Sequence, residues 1–361
     1  MTGVVNTTGA RSGVVGTTVG TESAGGYNSS AFLDQGTLFS RNSANTLHVP
    51  DLGGVVDGTL VEITATTKDL NTSGNWDGVG SYETASNRAG KDFYVYLLKA
   101  GGIKLSATST YPSGSTAANS RKIAGFHCLC VAAGAITDHT LTGYAQGDIL
   151  PQSVWDRFNR PMSTPEGMVL SLDGMWIDIY LPSVSGTVLV SVNGGTIIDG
   201  HSSPAFHGYK FEQWFGEIGK KSIRQTEFVV ASLGANQGTN ITGGGAPGTT
   251  GGHSTSSRRM ISNIGCEDMC GAMYQWSRDP GGSNASSASF VNAYDSVDID
   301  TGGGAVKGQH MRAPYRALLG GDNNDGSKCG SRSSRWDKGL ADGLDADYSG
   351  RGVSEPAANR L

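Results

Sequence analysis

The chain has 361 residues, a net charge of -5, only 16% charged side chains and 55 glycines. Glycine at roughly twice its usual share, with few long helical patterns, reads as a β-rich protein of many turns, long enough for two or three domains. So little charge argues against a nucleic-acid binder, which needs a basic patch to neutralise phosphates; the densest basic spot, EIGKKSIR at 217–224, reads as solvated charge near a helix end.

Residues 1 to about 35 are Gly/Thr/Ser-rich with isolated valines. Such a composition buries too little apolar area to fold alone, so it should order only against partner chains. It lacks the basic start and apolar run of a secretion signal. No apolar stretch approaches the length that spans a membrane. Strand signals follow: LHVPDL (47–52), TLVEITATT (59–67), and DFYVYLLKAGGIKLSATS (92–109), a hairpin turning at Gly101-Gly102. RKIAGFHCLCVAAG (121–134) is a further apolar strand. Residues 41–150 therefore read as a small antiparallel β-sandwich.

The next region, 151–361, starts near SVWDRFNRPMSTPEGMV. MWIDIYL (175–181) alternates, with Ile177, Ile179 and Leu181 on one face and Trp176, Asp178 and Tyr180 on the other. TVLVSV (187–192) is the next strand. Phe211, Trp214, Phe215 and Ile218 then form one apolar helical stripe. A second short helix is expected over 224–234, closed by Gly234. Residues 235–258 read as a flexible, low-complexity surface insertion without core formers. MCGAMYQWSRD (269–279) supplies a strand with Met273 and Trp276 for the core.

Chemistry finds no foothold. Five cysteines, at 128, 130, 266, 270 and 329, match no zinc spacing and read as buried thiols. Counted from Asp322, DNNDG places glycine fifth and Ser333 twelfth, whereas a calcium-binding EF-hand loop needs glycine sixth and a carboxylate twelfth. No nucleophile motif accompanies the scattered histidines, and His127 reads as a satisfied core residue. GGGAPGTTGGH lacks the Lys-Ser/Thr ending of a phosphate loop. The expectation is a protein that is no enzyme and carries no metal or cofactor.

What remains is GGDNNDGSKCGSRSSRWDKGLADGLDADYSGRGVSEP at 320–356. Six acidic and four basic side chains fall between Asp322 and Tyr348, with almost nothing fit for a core. Gly320-Gly321, GSR at 330–332 and RGV at 351–353 read as anchors. Loops held this way present contacts on a rigid scaffold, and aromatics among charges, here Trp336 and Tyr348, suit an interface.

Several stretches in order resemble the major tropism determinant family of phage receptor-binding proteins: AGKDFYVYLLKAGGIKL, SRKIAGFH, SVWDRFNRPMSTPEGMV with MWIDIYLPSV, GKKSIRQTEFVVASLG, CGAMYQWSRD and ALLGGDNNDGSKCGSRSSRW with RGV. The resemblance implies a mainly β protein with some α: an N-terminal, β-prism-like virion-attachment and trimerisation segment (1–40), a β-sandwich (41–150) and a C-terminal C-type lectin fold (151–361). It implies a homotrimeric tail-fibre adhesin of the virion, assembled in the host cytoplasm. Its partners would be a protein or glycan receptor on the host cell and, through the N-terminal segment, other virion proteins. A diversity-generating retroelement would vary the last segment. Carried over by position, the receptor contacts would be Asp322, Asn324, Lys328, Arg335, Asp337, Lys338, Asp342, Leu344, Asp347 and Tyr348. Gly320, Gly321, Gly330, Ser331, Arg332, Arg351 and Gly352 would be frame. Asn323 stands where the family has tryptophan. A structural head fibre or capsid decoration protein that cements neighbours is the alternative.

Overall fold

The structure, a computed structural model, describes residues 33–256, 258–280, 290–292, 309–311, 316–336, 338 and 344–357. The expected attachment segment, up to residue 32, lies outside them. The first part of the chain forms strands β1 (Leu33–Gln35), β2 (Ser40–Ser43), β3 (Thr46–Val49), β4 (Leu52–Val56), β5 (Thr59–Ile63) and β6 (Thr66–Asp69). After a single helical turn, α1 (Ala85–Arg88), come β7 (Asp92–Leu98), β8 (Ile103–Ser106), β9 (Ser120–His127) and β10 (Trp155–Asp156). These make three antiparallel sheets, ordered β1-β4-β5, β2-β3-β6 and β10-β9-β7-β8.

All three sheets close on one core that includes Leu47, Val56, Phe93, Val95, Leu97 and Phe126. The hairpin turns at Gly101-Gly102 as its sequence implies, with Leu98 and Gly102 bonded across it. LHVPDL and TLVEITATT each divide into two strands that belong to different sheets. β9 stops at His127, short of the expected run to 134. β10 still belongs to this part, beyond the boundary expected at 150.

The second part contributes β11 (Met168–Leu170), β12 (Trp176–Asp178), β13 (Ser183–Ser185), β14 (Val188–Val190), helix α2 (Gly208–Glu217), β15 (Lys221–Ser222) and helix α3 (Gln225–Ala231). There follow β16 (Tyr274–Pro280), β17 (Phe290–Asn292), β18 (Gln309–Met311), β19 (Arg316–Leu319), β20 (Ser334–Arg335), β21 (Tyr348–Ser349) and β22 (Gly352–Ser354). β22, near the end of the chain, pairs between β12 and β15, so the two ends of this part close on each other. A second four-stranded sheet, β20-β19-β16-β21, carries the stretch singled out above.

The helical stripe behaves as its spacing requires: Phe211, Trp214 and Phe215 are buried and Ile218 packs against their cluster. α3 stops at Ala231, before the turn that contains Gly234, and the Glu227 side chain accepts from the Arg224 N–H at its start (2.8 Å). The alternation in MWIDIYL does not separate a wet face from a dry one. Ile177 enters the main core, Trp176 packs with Tyr94, Tyr96 and Trp155 at the junction between the two parts, and Asp178 is buried against Lys220 (2.6 Å). A strand covered on both sides loses the amphipathic signature. The junction also holds His127, whose ring nitrogens meet Asp92 (2.9 Å) and the Tyr180 hydroxyl (3.0 Å). All five cysteines are buried and free; burial lifts the Cys266, Cys270 and Cys329 thiols to about 12, which keeps them protonated.

The described residues of 235–258 carry no helix or ladder, but they are not a loose surface insertion. Asn236, Ile241, Thr250 and Thr255 are buried, and Ile241 packs with Met260 and Ala272. Small polar residues can be interior when their hydrogen bonds are met by distant backbone, which a local composition does not record.

Candidate functional site

The stretch from Gly320 leaves β19 through a left-handed pair. Gly320 has φ +94°, and a Cβ there would stand 2.5 Å from the Met269 carbonyl oxygen, so no other residue fits without a shift. Between β19 and β20 the backbone is folded by short turns. Lys328 N–H donates to Asp325 (3.1 Å) and Ser333 N–H to Gly330 (3.0 Å), while Gly330 N–H reaches the Gly320 carbonyl (3.1 Å) and Gly320 N–H the Ser333 carbonyl (3.0 Å). The result is a compact loop most of whose amides are engaged and whose side chains differ in fate.

Asn324 and Lys328 are exposed on this loop. Arg335, on β20, is half-buried, with its guanidinium 6.0 Å from the centroid of the Tyr274 ring. Lys338 holds its ammonium 5.9 Å from the Tyr348 ring. Leu344 is 38% exposed, as is Trp336. Asp347 is half-buried and its Oδ1 accepts from Asn323 Nδ2 (2.6 Å). Asp337 and Asp342 lie outside the described residues.

Two of the expected contacts are buried. Tyr348 is only 2% exposed and packs edge-on against Tyr274 and Trp276, both at 6.0 Å between centroids. Its ring is core because β21 pairs in parallel with β16 and turns this side chain inward. Asp322 is also buried, and its Oδ1 accepts from the Asn324 N–H (2.7 Å). Its carboxylate caps the turn rather than facing outward; burial raises its pKa, against the pull of that backbone bond. The expectation that this stretch buries almost nothing therefore fails at Asp322, Asn323, Cys329 and Tyr348.

The frame residues fare better. Arg351 is fully buried: it donates to Gln275 Oε1 (2.7 Å) and to the carbonyls of Asp178 (2.7 Å), Ile179 (3.0 Å) and Glu267 (2.7 Å). Gly321, Gly330 and Gly352 are buried, and Ser331 is bonded to Gln237 (3.1 Å). Arg332 is the exception, with its side chain at the surface.

Three members of the site were not among the contacts expected from sequence. Tyr274 forms the floor beneath Arg335; burial first, then its hydrogen bond to Asp325, hold its hydroxyl protonated far above neutrality. Its place at the start of the strand that carries Trp276 was the available signal. Asn323, the departure from the family's tryptophan, is buried and ties the loop to Asp347. Asp325 accepts from the Asp322 N–H (3.2 Å). Together the face offers carboxylates, the three cations Lys328, Arg335 and Lys338, and an aromatic floor. That arrangement can grip a partner through charged hydrogen bonds and aromatic contact. Among the described residues no group of three or more His, Cys, Asp or Glu side chains is placed to hold a metal ion.

Comparison with known proteins bears on the same regions. A family model described as the Mtd second domain matches residues 40–156. The tail fiber receptor-binding protein of Bordetella phage BPP-1 is 30% identical over 290 residues, which span 74% of this chain and 71% of that one. The solved structure of the Major Tropism Determinant U1 variant superposes with a TM-score of 0.72 at 26% identity, over 90% of this chain and 84% of its own. The M1 variant gives 0.71 at 26% identity, over 88% and 82%.

Proposed function

This chain belongs to the major tropism determinant family, and on that premise we propose that it is a phage receptor-binding protein whose lectin-like part grips the host cell surface through the β19–β20 face. The observation that carries the choice of face is the division between backbone and side chain there. Most of the turn amides are engaged and Gly320 is sterically fixed, while Asn324, Lys328, Trp336 and Leu344 reach solvent. A surface so built accepts new side chains without a change of fold.

The contacts in this reading are Asn324, Lys328, Arg335, Lys338, Leu344 and Asp347, with Asp337 and Asp342 carried over by family position. The protein acts by binding, not catalysis, and belongs to the virion. The reading takes the chain as a homotrimer, with parts bounded near residues 40 and 150 and the N-terminal part attaching to other virion proteins. A handful of contacts per copy gives modest affinity, and three copies side by side make the second contact effectively intramolecular, raising avidity by about 10²–10⁴. The fixed backbone limits the ordering cost of each contact.

The test is competition for adsorption. Purified protein added to host cells should block adsorption of the phage, and the Asn324→Ala/Lys328→Ala/Arg335→Ala protein should not, at equal folded concentration. Equal blocking by both would move the receptor site off this face and favour a structural role in the particle.

A further inference from the structure

We propose that Gln237 and Asn240, on the loop after α3, are positioning residues for the receptor face, holding the backbone of residues 323–331 from outside. The inference rests on the receptor-binding reading of that face. Gln237 Oε1 accepts from the Ser331 N–H (3.1 Å) and lies 3.4 Å from the Ser331 hydroxyl, which donates to it. The Gly238 N–H donates to the Cys329 carbonyl (2.7 Å). Asn240 Nδ2 donates to the Asn323 carbonyl. Three points of the face loop, Asn323, Cys329 and Ser331, are thus held by one short segment distant in sequence.

The holder is itself tied to the core. Asn236 is fully buried, and its Nδ2 donates to the carbonyls of Thr239 (2.7 Å) and Cys270 (3.0 Å). Ile241 N–H donates to the Gly271 carbonyl (2.9 Å), and its side chain packs with Met260 and Ala272. Gly271 N–H in turn reaches the Gly320 carbonyl (3.2 Å). The segment approaches the face loop so closely that a Cβ at Gly330 would stand 2.6 Å from Gln237 Oε1.

The clamp is needed because residues 322–333 have no continuous strand ladder of their own, only short turns and the bonds around Gly320. A loop that samples several backbone arrangements binds only in the fraction of time it is competent, and its apparent affinity falls by that fraction. With the clamp, substitutions at Asn324 or Lys328 change the side chain and leave its direction alone. This gives the polar, glycine-rich insertion a role that its composition hides.

Gln237 is exposed, so truncating it opens no cavity. The full chain would be compared with its Gln237→Ala, Gln237→Glu and Asn240→Ala variants by amide hydrogen exchange over 323–333, thermal unfolding and binding to host cells. Gln237→Ala is expected to speed exchange at the Ser331 amide and leave the unfolding midpoint in place. Binding should weaken by about tenfold if the competent fraction drops to about one tenth. Gln237→Glu retains the acceptor oxygen and is expected to restore both exchange and binding; Asn240→Ala should loosen the loop at Asn323. Unchanged exchange in Gln237→Ala, or a Gln237→Glu protein as defective as Gln237→Ala, overturns the clamp. So does faster exchange with normal binding while the Asn324/Lys328/Arg335 alanine protein has lost it. If that triple variant also binds normally, the receptor reading itself has failed, and the clamp's role falls with it.

Discussion

Residues 322–335 and residues 348–354 belong to one stretch of polar, glycine-rich sequence, yet the first reaches solvent at several positions and the second is interior throughout. In the first, Lys328 and Asn324 point to solvent from a loop of short turns. In the second, Tyr348, Ser349, Arg351 and Val353 are all interior. Arg351 and Arg335 make the contrast sharpest: one guanidinium has four acceptors at 2.7–3.0 Å inside the protein, the other lies half-exposed over an aromatic ring. Charge does not decide which part is interior. What decides is whether the fold supplies acceptors at fixed positions, because a buried cation is tolerated only when its donors are met.

The largest effect should come from the interior side of that contrast. Arg351→Ala strands Gln275 Oε1 and three carbonyls. Each buried acceptor left unmet costs about 1–3 kcal/mol, against a domain stability of about 5–15 kcal/mol. The variant is expected to lose the cooperative unfolding transition of the lectin-like part in calorimetry. An unfolding curve like that of the wild type would break the contrast.

Next is Tyr348, where sequence position and structure disagree. Removing a buried aromatic ring costs about 3–5 kcal/mol, so Tyr348→Ala should lower the denaturant midpoint substantially. Lys328→Ala, by comparison, should leave it within about 0.5 kcal/mol. Equal effects of the two would mean that Tyr348 is a surface residue after all.

A smaller effect tests the pH response of the interior. His253 meets the buried Asp268 carboxylate at 2.9 Å. Burial alone would lower its pKa, but Asp268 outweighs that and raises it above the ordinary 6.5. A raised folded-state value stabilises the protein fully below the unfolded-state pKa and ceases to do so as pH rises through the folded one. Melting temperature should therefore fall as pH climbs above the ordinary histidine value of about 6.5, and His253→Gln should remove that part of the slope. Identical slopes in the two proteins would refute the coupling. Glu267 and Arg259 also face this histidine and oppose one another there.

The elements most legible from sequence were those whose pattern is local. The stripe at Phe211, Trp214, Phe215 and Ile218 gave α2, and the two apolar arms around Gly101-Gly102 gave the β7–β8 hairpin. Less legible were positions fixed by distant partners. Asp178 looks like a solvent-facing residue until Lys220 is beside it. Asn236 and Asn240 look like linker until Cys270 and Asn323 supply their acceptors. The candidate stretch stands out in sequence through its glycine anchors and family resemblance. The inward turn of Asp322 and Tyr348 does not, because it depends on pairing with Ala272 and β16.

The most direct measurement is a solvent footprint of the protein bound to host-cell envelopes, by hydroxyl-radical labelling read by mass spectrometry. The account predicts protection at Lys328, Arg335, Trp336 and Leu344, with labelling of exposed side chains on other segments, such as Met162 and Leu172, unchanged. Protection confined to other surfaces, with Lys328, Trp336 and Leu344 labelled as in the unbound protein, would contradict it.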